Sequence, residues 1–231
     1  YAKATVSVLP NLVTQATRIT SVNSISGREL IFQIMCCGRV WEGHNMQEQS
    51  NSYVDDLCEK LALIWGYLSD SMRLSPPALQ YVWDQLVRSA FFLLLEGFSK
   101  VRNCSTEGRS LMSMDLATLF HGLIPETVQA EVVDDYPTIS APPHACREEM
   151  MRYVDTFVKV FYFPYQDIID WIEDNSGDYH LDHSLSLITS KSAGSKDKRF
   201  TVDGKKSVAN IYDQIQQVID NILYLKKHFT L

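Results

Sequence analysis

Apolar residues recur along this chain at steps of three and four, a spacing that places them on one face of an α-helix. One stripe runs from Val54 to Met72 and leaves Asp55, Asp56 and Glu59 on the opposite side of the helix. Comparable stripes follow along most of the chain, and alternation of apolar and polar residues competes nowhere with them. The pattern predicts an all-α fold of about eight helices.

The most apolar of these helices is predicted between positions 76 and 101. Ser75 is followed by two prolines, a favourable helix start because proline in the first turn loses no hydrogen bond. Apolar residues fill every face of its second half, and such a helix is covered by neighbours on several sides. We therefore expect a central helix, in which an aspartate at Phe91 unfolds the protein.

Two further helix starts are indicated by capping residues. Ser26 and Glu29 have the spacing of a capping box, which predicts a helix from about Leu30 to a break at Gly43. Segment 103–106 has the composition of a turn and helix cap, and the acidic residue after it suits the first turn of a helix. These signals predict a helix on each side of the central one.

The sequence predicts two helical parts, one before and one after a connecting segment. The periodicity lapses in an acidic, proline-bearing stretch, which is either a linker or an ordered surface loop. The expected parts are an amino-terminal segment 1–25 that no pattern places, a helical subdomain 26–124 with the central helix 76–101, the linker or loop 125–143, and a helical subdomain 144–231. The last part contains a predicted flexible loop, 190–204, and a final apolar stripe from Val208 to Leu225.

Composition narrows the class of protein without identifying it. The 231 residues include 21 Lys+Arg and 28 Asp+Glu, which gives a net charge of −7, and 45% of them are hydrophobic. The acidic excess argues against nucleic-acid binding, which needs clustered Lys and Arg. Apolar runs fall short of the roughly eighteen residues needed to span a membrane. Because the chain starts at Tyr1 rather than Met, we expect a longer parent protein.

Motifs for catalysis, cofactors or metals are missing from the sequence. It contains no glycine-rich nucleotide loop, nucleophile elbow or zinc-protease motif. His180 and His183 could chelate a metal from one helix face, but two further ligands are lacking nearby. The five cysteines are scattered among apolar residues, which is typical of reduced cytosolic thiols. We therefore expect no catalytic residue, cofactor or metal, and a protein that is not an enzyme.

The segment from Glu96 to Asp115 carries a more specific signal. It contains a Glu-Gly start, a Cys-Ser turn and a Glu-Gly-Arg-x-Leu-Met-x-x-Asp run. In this order the motifs resemble the carboxyl-terminal domains of the syndetin family, the subunits that define the endosome-associated recycling protein complex, EARP. The matching positions are Glu96, Gly97, Cys104, Ser105, Glu107, Gly108, Arg109, Leu111, Met112 and Asp115.

Fainter similarity to this family extends over most of positions 29–188. Segment 124–143 looks longer than in the family and 191–204 looks inserted. Both differences fall in loops, so the resemblance does not extend to a partner that binds those loops. The resemblance implies an elongated multi-helix bundle, as in helical-rod tethering subunits. Such subunits do no chemistry and hold an incoming vesicle near its target.

The resemblance also implies partners and a location. The implied partners are other subunits of the tethering complex and SNAREs or endosomal adaptors, with no nucleic acid. The implied location is cytoplasmic, peripheral on recycling endosomes or trans-Golgi membranes through those partners. Two alternatives stay open: a subunit of another helical-rod tether such as GARP or exocyst, and a helical lipid-binding domain or enzyme whose site follows no known motif.

Within the resembling segment, the glycines, the turn and the cap favour a structural joint between packed helices over a ligand pocket. Partner binding is predicted instead for apolar residues after Pro164 that we expect to be exposed, namely Tyr165, Ile168 and Trp171. A core position is the competing interpretation for Trp171.

Overall fold

The computed structural model describes residues 2–45, 47–70, 74–123, 144–175 and 177–194. Every regular element within these ranges is a helix, which confirms the predicted all-α fold. The helices are α1 (Ala2–Ser24), α2 (Gly27–Cys36), α3 (Gly38–Trp41), α4 (Ser52–Asp70), α5 (Pro76–Ser99), α6 (Thr106–Gly122), α7 (His144–Val160), α8 (Tyr165–Asp174) and α9 (Leu181–Gly194). The chain divides into two compact units, Tyr1–Tyr162 and Phe163–Leu231.

Helix α5 is the central helix of the first unit, as the sequence predicts. It packs against α1, α2, α4, α6 and α7. Phe91, Leu94, Leu95 and Phe98 have no exposed surface. Because each fully buried side chain of this size stabilises a fold by about 1.5–3 kcal/mol, α5 supplies a large part of the core.

The start of α2 differs from the prediction. Ser26 has a left-handed backbone with φ 57°, and its side chain makes no cap hydrogen bond. Its carbonyl oxygen accepts from the N–H of Glu29 at 2.9 Å. A Cβ on the neighbouring Gly27 would lie 2.9 Å from side-chain atoms of both Leu93 and Val22, so the turn is tightly packed. The predicted capping box is therefore wrong.

The predicted helix 30–43 is interrupted at Cys37, which separates α2 from α3. The indole Nε1 of Trp41 donates to the carbonyl oxygen of Ile34 at 2.8 Å. The same carbonyl also accepts from the N–H of Cys37 at 3.3 Å, so the indole is a second donor at the end of α2. Trp41 is fully buried and meets the ring of Phe98 edge-on at 6.2 Å, so α3 is held against α5.

The units of the structure do not coincide with the predicted parts of the chain. Helix α7 belongs to the first unit, where it packs on α5 and α6. The predicted connection 125–143 lies outside the described residues, so a division there stays a prediction. Helix α9 continues to Gly194, inside the predicted flexible loop. The helix predicted at 208–225 also lies outside the described residues.

Candidate functional site

Residues 96–115, which we call the α5–α6 corner, join the end of α5 to the first half of α6. Glu96 forms an ion pair with Lys100 at 2.7 Å. A Cβ on Gly97 would lie 2.4 Å from Cδ1 of Ile34, closer than side-chain contacts allow. Glycine at position 97 therefore permits the close approach of α5 to α2.

A second glycine brings α6 against α3. A Cβ on Gly108 would lie 2.2 Å from the carbonyl oxygen of Trp41 and 3.0 Å from Sγ of Cys104. The nearer atom belongs to the backbone, which cannot rotate away as the end of a side chain can. Any larger residue at position 108 must separate the two helices.

Ser105 caps α6 and joins it to the end of α3. Its Oγ accepts from the N–H of Gly108 at 3.0 Å, which confirms the predicted cap. Its N–H donates to the carbonyl oxygen of Trp41 at 2.8 Å. Its hydroxyl also lies within hydrogen-bond distance of the carbonyl oxygens of Trp41 and Gly43. One serine thus satisfies polar groups on both sides of the contact.

Arg109 and Cys104 are buried beneath the corner. Arg109 is 1% exposed, and its guanidinium carbon lies 4.3 Å from the ring centre of Phe161, a cation–π contact. Its Nε and Nη1 have no hydrogen-bond partner among the described residues. Burial lowers the pKa of Arg109 and raises the pKa of the Cys104 thiol. The guanidinium therefore joins α6 to the segment that follows α7.

A buried carboxylate joins α6 to the start of α4. Asp115 has no exposed surface and accepts from the backbone N–H and the side-chain amide of Asn51, both at 2.8 Å. The hydroxyl of Tyr53 donates to the same carboxylate. Burial raises the pKa of Asp115, and the hydrogen bonds from Tyr53 and Asn51 oppose that rise. Three donors offset the cost of removing the carboxylate from water.

The remaining residues of the corner lie in the core or at its edge. Leu111 and Met112 are buried. The carboxylate of Glu107 lies 3.6 Å from Nδ1 of His44, and a hydrogen bond to its own backbone N–H lowers the pKa of Glu107. The contacts of the corner hold α6 against α3, α4 and the end of α7. This geometry suits the predicted joint, and that role stays a prediction.

The residues predicted to bind a partner lie on α8, in the second unit. The side chain of Tyr165 is outside what the structure describes. Ile168 is fully buried, because it shares the apolar face of α8 with Ile169 and Ile172. Trp171 is half-buried, and its ring centre lies 4.9 Å from that of Tyr179. The expectation that Ile168 is exposed is therefore wrong, and partner binding by α8 stays a prediction.

Metal ligands are sparse in the described part of the chain. Its His, Cys, Asp and Glu side chains form no group of three that could hold a metal ion. The ring centres of His180 and His183 lie 5.9 Å apart, and His183 is 1% exposed. Across the same ranges, no helix is both long and apolar enough to cross a membrane.

Cavities lie beside α1 in the part of the chain that the structure describes. A cavity of about 550 Å³ between α1, α5 and α7 contains the ion pair of Arg88 and Glu149, with a distance of 2.9 Å between charged atoms. Another, of about 650 Å³, lies between α1, α4 and α5, and none of its described lining residues is charged. We call it the α1/α4 groove; its lining residues are Ala16, Thr17, Thr20, Ser21, Ser24, Leu63, Ile64, Tyr67, Leu68, Leu74, Val82 and Leu86.

Sequence reasoning missed this groove because the segment before Ser26 had no placement. One signal was available in α4. Leu63 and Tyr67 lie outside the apolar stripe of that helix, and they are 68% and 59% exposed. Large apolar residues on the outward face of an amphipathic helix indicate a surface that is not covered by the helix's own core.

Comparison with known proteins finds one family. Residues 1–203 match the family model described as "Syndetin, C-terminal", including the segment before Ser26 that the sequence patterns do not place. Syndetin of Mus musculus is 24% identical to the chain over 152 residues, and Syndetin of Gallus gallus is 26% identical over 151 residues. Each alignment covers 64% of this chain and 14% of the relative, so the match spans a small part of those proteins. No solved structure gives a significant match.

Proposed function

This chain belongs to the syndetin C-terminal family, and on that premise we propose that it is a non-catalytic carboxyl-terminal module of a vesicle-tethering subunit. The family match over residues 1–203 carries the proposal. In this role the module acts by binding proteins within a complex of the EARP type. The complex holds vesicles during endosomal recycling, when cargo returns to the plasma membrane.

The distribution of apolar side chains supports a binding role. The family-matching residues are used in helix packing at the α5–α6 corner, while Leu63 and Tyr67 beside the α1/α4 groove are more than half exposed. Exposed apolar side chains that gather beside a groove mark sites of interaction with proteins, membranes or ligands. The surface therefore suits contact with other proteins.

We propose other subunits of the tethering complex as partners, together with SNAREs or endosomal adaptors. Through these partners the protein attaches peripherally to recycling endosomes or trans-Golgi membranes. Trp171 on α8 is a candidate contact, since part of its ring is exposed. Ile168 is not proposed as a contact, because its side chain is buried.

Affinity capture from cytosol, with the 231-residue chain as bait, tests the proposal. We expect tethering subunits, with SNAREs or endosomal adaptors, to be enriched over a folded acidic bait of similar size in quantitative mass spectrometry. Trp171→Ala should lower the capture of partners that use α8. Tyr162→Ala removes an aromatic ring that is 43% exposed in the first unit, and it serves as the matched control.

Other outcomes identify the alternatives. Enrichment of subunits specific to GARP or exocyst would place the chain in another helical-rod tether. Capture of none of these proteins, combined with binding to liposomes or turnover of a small molecule, would assign it to the different class of helical lipid-binding domains or enzymes. Capture of none of them by the folded chain overturns the proposed role for this region.

A further inference from the structure

The α1/α4 groove has the form of a trough on the surface of α5. Helices α1 and α4 both pack on α5 and form the two walls. Val82 and Leu86 of α5 line the floor. Thr14 Oγ1 and the hydroxyl of Tyr81 lie 2.9 Å apart and hold α1 on α5 near the trough. The two walls and the floor of the trough are therefore helices, with Leu74 added from the segment before α5, and this form suits a helical ligand.

The α1 wall is made of small residues whose hydroxyl groups are already satisfied. Thr17, Thr20, Ser21 and Ser24 each donate to the carbonyl oxygen four residues earlier in α1, at 2.8–2.9 Å. These donors need no partner from outside, so the wall offers mainly methyl and methylene groups. Small side chains allow two helix axes to come closer together than large ones do.

The α4 wall joins an apolar surface to an acidic one. Asp56, Glu59, Leu63 and Tyr67 follow one another at steps of three or four, so they form one stripe along α4, and all four are exposed. With a rise of about 1.5 Å per residue, Glu59 lies about 6 Å and Asp56 about 10 Å from Leu63 along the helix axis. The described lining of the groove is uncharged. Beyond one end of the α4 wall lie the two exposed carboxylates together with the half-buried Lys60, so acidic groups outnumber basic ones there.

We propose that the α1/α4 groove binds an amphipathic helix of a partner protein. An apolar stripe of this helix fills the groove, and Lys or Arg side chains one to two turns beyond the stripe face Glu59 and Asp56. The inference deepens the proposed function and rests on it only in taking the partner to be a protein. Helix binding of this kind uses apolar anchors at positions i, i+3 or i+4, and i+7.

The charge around the groove favours this occupant over two others. An anionic membrane surface would be repelled by Asp56 and Glu59, which outnumber the neighbouring Lys60, and none of the described lining residues is a Lys or Arg that could attract a lipid headgroup. A second copy of the chain also carries a net charge of −7, which opposes its approach. A basic helix is attracted by the same carboxylates.

Three labelled 20-residue helical peptides serve as probes in fluorescence anisotropy with the 231-residue chain. The first has a Leu stripe at heptad spacing, with Lys on the same face at one end. The second replaces Lys by Glu, and the third keeps the composition but scrambles the stripe. We expect a Kd on the order of 10 μM for the first peptide and binding at least about tenfold weaker for the other two.

Variants of the protein locate the binding. The double substitution Leu63→Asp and Tyr67→Asp should raise the Kd of the first peptide at least about tenfold. Phe32→Asp should leave this Kd unchanged, because Phe32 is exposed on α2 outside the groove. Asp56→Lys with Glu59→Lys should reverse the preference toward the Glu peptide. Glu148→Lys, at an exposed position on α7, is the charge control. Circular dichroism checks that each variant is folded.

Each contrary result overturns the inference. No binding of the Lys peptide, binding that survives the Leu63 and Tyr67 changes, or equal binding of the Lys and Glu peptides would do so. Binding of the chain to phosphatidylcholine vesicles without peptide, lost when Leu63 and Tyr67 are changed to Asp, would assign the groove to lipid instead. If no peptide binds while affinity capture still enriches tethering subunits, helix binding by the groove is refuted and the proposed function stands.

Discussion

The α5–α6 corner and the α1/α4 groove both place small residues beside large apolar ones, with opposite results. In the corner, Gly97 and Gly108 bring helices of the same chain into direct contact. In the groove, Thr20 and Ser24 lie beside Tyr67 around a cavity of about 650 Å³. Small residues close a joint where a helix of the chain can reach them. Elsewhere they leave room for a helix from outside.

The polar groups of the two regions differ in where their hydrogen-bond partners lie. In the corner, Ser105 and Asp115 form hydrogen bonds to Trp41 of α3 and Tyr53 of α4. In the groove, the hydroxyls of Thr20 and Ser24 bond to carbonyls of their own helix. We therefore expect substitutions in the corner to lower the free energy of unfolding and substitutions in the groove to change binding.

The largest contrast is expected for an introduced carboxylate. Phe91→Asp, on the central helix, should lower the free energy of unfolding by more than about 4 kcal/mol, because it leaves a charge without a partner in the core. Leu63→Asp, in the groove wall, should cost less than about 1 kcal/mol, since Leu63 is 68% exposed. Urea unfolding followed by circular dichroism measures both. A folded, stable Phe91→Asp variant would contradict the central position of α5.

A second contrast compares two glycines. Gly108→Ala should destabilise the chain by about 1–3 kcal/mol or more, because the new Cβ meets the carbonyl oxygen of Trp41. Gly66→Ala, next to the groove residue Tyr67 on α4, should stabilise it by about 0.5–1 kcal/mol, since no atom lies within 4 Å of the new Cβ. Thermal unfolding shows whether each substitution stabilises or destabilises the chain. If both substitutions stabilise, α3 and α6 are not in close contact.

The third contrast concerns hydroxyl groups. Ser105→Ala removes the cap of α6 and the contact with Trp41, so we expect a loss of about 1–2 kcal/mol. Thr20→Ala removes a hydroxyl that bonds only within α1, and alanine has the higher helix propensity. The stability of this variant should stay equal or rise slightly in the same unfolding assay. A larger loss at Thr20 than at Ser105 would reverse the assignment of the two regions.

The smallest effect is a dependence on pH. Because burial raises the pKa of Asp115 above 3.8, the folded state binds this proton more tightly than the unfolded state. The contribution of Asp115 to stability is therefore largest at low pH and declines as pH rises through the folded pKa. Asp115→Asn should lack this decline, so the stability advantage of wild type over the variant should shrink as pH rises. An advantage that grows with pH in urea titrations would contradict the raised pKa.

Local signals were sufficient for some of the fold. The start of α5 at Pro76 and the cap at Ser105 depend on residues adjacent in sequence, and both are predicted correctly. The left-handed Ser26 is not, because Gly27 packs against Leu93, far away in sequence. The break at Cys37 likewise depends on the burial of a tryptophan against another helix.

The candidate sites were also predicted only in part, because they depend on contacts between residues far apart in sequence. The burial of Asp115 requires its partners Asn51 and Tyr53, 64 and 62 residues earlier, and helical periodicity contains no information on that pairing. The buried position of Ile168 could have been taken from its spacing to Ile172. The groove exists only because α1 and α4 lie on either side of α5, a tertiary arrangement that neither helix encodes alone.

The contacts of the corner also set the order in which the first unit can fold. The hydrogen bonds of Ser105 to Trp41 and of Asp115 to Asn51 each join residues 64 positions apart, so each closes a long loop. Closing such a loop costs conformational entropy before the contact returns any free energy. The chain between them must already be compact when the hydroxyl of Ser105 reaches Trp41. Loss of the Ser105 hydroxyl should therefore accelerate unfolding while leaving the refolding rate nearly unchanged, as stopped-flow kinetics can measure.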